Sequence, residues 1–140
     1  MSYFGPAQSS GDIAVWLPRQ EIAFAGAIMQ SDALPALTAD SRLADWTTAY
    51  DSLAGLRPRQ IVPGRGTLGN LARMDADTRA YLTTLRAEIE QAVQRGASKA
   101  EIISQAGKSK QLAAFKRLEG YAQLAPENVL QALRETDGLR

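Results

Sequence analysis

Residues 12–26, DIAVWLPRQEIAFAG, decide how the rest of the chain is read. Two β-prone runs, DIAVWL and EIAFA, flank Pro18-Arg19-Gln20. A proline between two such runs presets the backbone angle a turn needs, so the stretch reads as a hairpin. Ile13, Val15 and Leu17 alternate with Asp12, Ala14 and Trp16, the period of two expected of a strand with one fully buried face. Gly26 ends the second strand. A lone hairpin is marginal in water, so the remaining residues have to cover it.

Outward from the hairpin, residues 27–40 read as irregular, with Pro35 breaking any helix. Ser41 is the expected cap of a helix over about 41–55, in which Leu43, Trp46, Ala49, Tyr50 and Leu53 form one apolar stripe. Ile61 and Val62 suggest a very short strand at 60–63, followed by a glycine-rich loop. A long helix is predicted over about 76–95, burying Tyr81, Leu82, Leu85, Ile89, Ala92 and Val93. Ser98 and Glu101 have the spacing of a capping box for a helix over 98–106. GKSK (107–110) reads as a break, because no strand and no full phosphate-loop pattern precedes it. Helices follow at about 111–119 and 126–136, with Pro126 expected in the first turn of the last one.

The 140 residues suit a single domain. Sixteen Lys and Arg stand against fifteen Asp and Glu, for a net charge of +1, which gives no electrostatic reason to expect nucleic acid or an anionic membrane. The chain has no Cys and no His. Disulfides, thiolate zinc sites and His-dependent triads are therefore excluded within it. No apolar run approaches the ~20 residues a spanning helix needs, and no signal peptide is recognisable. The expected location is cytoplasmic. Paired carboxylates such as Asp45 and Asp51, or Glu88 and Glu90, fall mostly on wet helix faces and support no acid–base chemistry. Trp16, Phe24, Trp46 and Tyr50 have strand or helix spacing and read as core or interface rather than as a ligand pocket.

Three short motifs, GPAQSSGD (5–12), FAGAI (24–28) and VPGRG (62–66), resemble, in order and separation, motifs of the metallo-β-lactamase fold. The nearest likeness is to zinc metallohydrolases associated with quinoprotein alcohol-oxidation systems. LADWTTAYDSLAGL and the two C-terminal segments TRAYLTTLRAEIEQAVQRGAS and APENVLQALRE resemble helices of that family. The likeness runs from about Tyr3 to Glu135 and corresponds to the C-terminal half of the family domain, without the half that carries HxHxDH.

What this implies is an α/β fold: half of an αββα sandwich, a small sheet covered on one face by helices. In the family the matching positions hold a histidine, a bridging aspartate and a second histidine. Here they are Gln8, Ala27 and Arg65. Zinc takes imidazole, thiolate or carboxylate donors. An amide is a poor donor, alanine has none, and a guanidinium adds a charge without a lone pair. The resemblance thus implies a non-catalytic pseudoenzyme with no metal and no cofactor. Asp12 is expected to stabilise its turn, and Gln8 to reach Arg65 if the family geometry persists.

A half-sandwich leaves one sheet face bare, so a partner is expected. The leading expectation is a homodimer through that face, involving Ile13, Val15, Trp16, Leu17 and Phe24 and burying roughly 2,000 Å² or more. Its function would be that of an interaction or scaffold subunit. One alternative is a hydrolase subunit completed by a separate chain carrying HxHxDH. Another is a binder of small anions at the former cleft, held by Arg65 and Gln8 and by N–H groups of Gly64 and Gly66.

Overall fold

The structure, a computed structural model, describes residues 1–138. Four strands form one sheet in the order β1 (Ser2–Tyr3), β2 (Ile13–Leu17), β3 (Ile22–Gly26) and β4 (Gln60–Pro63). β1–β2 and β2–β3 are antiparallel, and β3–β4 is parallel. The hairpin forms as expected, with a turn at 18–21. Three strands at most were expected; β1 is the fourth, and two residues with no β-branched side chain give it no signature. The parallel pair needs a crossover, which α1 (Leu43–Ala54) supplies.

The helices lie on one side of this sheet. α1 buries Leu43, Trp46, Ala49, Tyr50 and Leu53, the stripe its spacing predicts. These side chains join Ala14, Ala23, Ala25 and Ile61 from the strands in one core. The small alanines let the helix layer sit close to the sheet, and the Trp46 indole donates to Ile28 O at 3.0 Å.

The helix predicted from residue 76 starts earlier, at α2 (Leu71–Met74), where the Asn70 side chain accepts from Arg73 N. A π turn, Asp75–Arg79, joins it to α3 (Ala80–Gln94). All five of its residues bond to other parts of the fold. The Tyr50 hydroxyl donates to Asp75 at 2.5 Å, Asp32 N donates to Asp77 at 2.7 Å, Thr78 exchanges hydrogen bonds with the Gln30 backbone, and Arg79 donates to Asp51. Arg117 also donates to Asp77, which is 3% exposed, and to Ala76 O at 3.2 Å. Burial and the Asp75 carboxylate hold the Tyr50 proton far above its ordinary range.

Further expectations are corrected here. Ser41 is not a helix cap: Arg42 occupies that position without a side-chain bond, and the Ser41 hydroxyl donates to Gln8 O at 2.7 Å. α4 (Lys99–Lys108) carries the Ser98–Glu101 capping box and continues through Gly107, so the break comes at Ser109. That serine caps the short α5 (Lys110–Ala113), which replaces the helix expected over 111–119. α6 (Tyr121–Gly138) begins one turn before Pro126, which lies inside it. The carbonyl that loses its bond belongs to Ala122, an exposed residue, so water can satisfy it. Buried Asn128 fastens α6 to the rest, donating to Pro35 O and to the Tyr81 hydroxyl and accepting from Leu37 N.

Candidate functional site

Opposed residues on neighbouring strands share a sheet face. The pairs Tyr3–Ile13, Val15–Phe24 and Leu17–Ile22 therefore lie together, with Val62 beside Phe24 across the parallel pair. This face is opposite the helices. Tyr3 is 57% exposed, Ile13 45% and Phe24 43%, while Val15, Leu17, Ile22 and Val62 are partly covered. The result is a seven-residue apolar surface built from strands, with its only other strand side chain the edge Gln60, opposite Ile22. Water-facing sheet faces ordinarily carry polar residues in alternation. This one does not.

Of the expected interface residues, Ile13, Val15, Leu17 and Phe24 are brought together here. Trp16 is not: it opposes Ala23 and packs on the helix-side core. The alternation in β2 is correct, but both faces are apolar, so the pattern alone could not say which one the helices cover. Tyr3, Ile22 and Val62 were missed. Ile22 had a signal, being two residues from Phe24; Val62 joins only through a parallel pairing that sequence does not reveal.

The positions that the sequence resemblance pairs with metal ligands lie on loops. Ala27 and Arg65 follow β3 and β4, and their loops interlock: Gly64 N donates to Gly26 O at 2.8 Å and Ser31 N to Arg65 O at 3.0 Å. A Cβ on Gly64 would come 2.4 Å from Gly26 O, and one on Gly66, at φ +91, 1.7 Å from Ser31 O. Only glycine allows these approaches. Gly64 N is therefore turned inward, which corrects the idea of an outward N–H available to an anion. The Asp32 carboxylate secures the loop by accepting from the Thr67 hydroxyl and from Arg73, and its pKa is lowered by Thr67 first and Arg73 next.

Gln8 does not bond Arg65. Its side-chain amide donates to Ala36 O at 3.1 Å, and its backbone carbonyl accepts from the Thr38 and Ser41 hydroxyls. Asp12 does stabilise its turn, accepting from Ser9 N at 2.7 Å. Alanine offers no side-chain donor atom and arginine no lone pair, so Gln8, Ala27 and Arg65 do not fit a zinc ion. Among the described residues, no group of three or more Asp or Glu is placed to hold a metal. Nor is any helix among them long and apolar enough to cross a membrane.

No protein-family model matches the sequence, and no curated protein matches it. Solved structures do. DIM-1 metallo-β-lactamase exposed to ceftazidime superposes with TM-score 0.52 at 24% identity, over 59% of this chain and 39% of that one. FIM-1 metallo-β-lactamase from Pseudomonas aeruginosa, in its mono-zinc form, gives 0.50 at 30% identity, over 55% and 36%. VMB-1 gives 0.50 at 23%, over 59% and 39%. The fold is thus metallo-β-lactamase-like, and the chain spans less than two fifths of each neighbour in the matched region.

Proposed function

We propose that the chain is a zinc-free, non-catalytic interaction subunit that self-associates through its open sheet face. The observation that carries this reading is the apolar surface of Tyr3, Ile13, Val15, Leu17, Ile22, Phe24 and Val62. Left in water, such a surface is unfavourable by about 25 cal/mol per Å² relative to burial, so covering it drives association. A second copy is the occupant this reading selects, because a two-fold contact pairs the same apolar patch with itself and needs no complementary charge. The neighbours are metallo-β-lactamases, but Gln8, Ala27 and Arg65 stand at positions that resemble ligand sites and supply no ligand set. This is why a scaffold role is preferred over hydrolysis.

The test is solution mass by light scattering during size exclusion. A dimer that persists on dilution to low micromolar supports the proposal. A well-folded monomer with a single sharp unfolding transition overturns it. Should the chain be soluble only with a second protein that supplies an HxHxDH half, the completed-hydrolase reading replaces it.

A further inference from the structure

α4, α5 and α6, with Tyr81 of α3, line a cleft of about 240 Å³ to which no strand residue contributes among the described residues. Its walls are apolar, formed by residues such as Ala106, Leu112, Val129 and the rings of Tyr81 and Tyr121. Ile103 stands in its lining and is 40% exposed, an apolar side chain without cover. Among the described residues, the one charged lining residue is Lys116 and no acidic side chain lines the space. Lys108 and Lys110 flank the same connection, directly after the lining Gly107. Among the described residues none of these three lysines is in an ion pair. An apolar recess with an exposed, unpaired lysine among its lining residues is complementary to a ligand with an aliphatic tail and an anionic head.

We infer that this cleft binds a medium-chain aliphatic carboxylate, with the tail against Leu112, Val129 and Ile103 and the carboxylate at Lys116. The inference is independent of what covers the sheet. Its distinguishing property follows from the two halves of the ligand. Each added methylene that enters the cleft strengthens binding by about fourfold, until the space is filled. The exposed ammonium adds about as much as one methylene, threefold to fivefold in all.

Calorimetric titration of the full chain with hexanoate, octanoate, decanoate and dodecanoate, kept below their micelle concentrations, tests this. The expected result is affinity that climbs with length and then levels off. Lys116→Gln should weaken decanoate by about threefold to fivefold and leave 1-decanol unchanged. Ala122→Trp, placed at an exposed lining position so that the core is untouched, should abolish binding of both while circular dichroism stays as in the parent. Affinity independent of length, or binding that survives Ala122→Trp, overturns the inference. So does co-sedimentation with anionic vesicles in the absence of any free-acid binding, which would assign the lysines to a lipid surface instead.

Discussion

Gly66 and Gly96 look alike in sequence, each ending a turn, and both have positive φ, +91 and +76. Their surroundings differ. A Cβ on Gly96 meets nothing within 4 Å, whereas one on Gly66 would overlap the Ser31 backbone. Gly96→Ala should therefore cost only the left-handed backbone penalty, about 1 kcal/mol. Gly66→Ala must also push two loops apart, and about 3 kcal/mol is expected. Urea unfolding of the two variants checks the difference, and equal losses would contradict the interlocked loops. In the sequence, Gly64 and Gly66 read as N–H donors of an alternative small-anion site. Their use here is steric, and that depends on Ser31 and Gly26, more than thirty residues upstream, which no local pattern reports.

At the scale of elements, the capping box of α4 gives a pH dependence with a definite sign. The Glu101 carboxyl accepts from Ser98 N at 2.7 Å, and its pKa is lowered from 4.5 chiefly by that backbone bond. A carboxylate whose folded pKa lies below its unfolded value stabilises fully above the unfolded value, and the effect disappears as pH falls through the folded one. Amide exchange in α4 should therefore lose protection relative to the other helices as pH drops below 4.5. Glu101→Gln, which cannot titrate, should remove that differential. This box was readable because both partners lie within four residues. The stripe of α1 was readable for the same reason, its period being local. Ser41 was misread because a serine before a helix looks the same whether its hydroxyl caps the helix or bonds a carbonyl 33 residues earlier. The start of α2 was missed because RGTLGN reads as loop, and Asn70 announces a helix only four residues long before the π turn.

For the whole molecule, the proposed dimer would tie stability to assembly. If the sheet is completed only by a second copy, the free monomer keeps its apolar strands in water and is marginal. Val15 lies on this face opposite Phe24, so Val15→Asp would bury a charge in the contact. The expected outcome is loss of the dimer together with a melting temperature that falls by more than a surface substitution allows. A soluble, fully folded monomer of this variant with the parent's melting temperature would count against an obligate dimer. Trp16→Asp makes a useful contrast: it strikes the helix-side core and should lower stability at every protein concentration.

The π turn carries a consequence for how this chain tolerates changes in length. One surplus residue in an otherwise continuous helix offsets its two ends by about 100° of rotation. Loss of any single residue between Asp75 and Arg79 would bring Leu71–Gln94 into one α-helical phase. It would also swing Met74, now fully buried, away from the core, and carry the Asp32–Arg73 tether and the interlocked Gly64–Gly66 loop with it. The segment between β4 and α3 is thus a fixed angular spacer whose length is set to the residue, although its composition is that of slack loop.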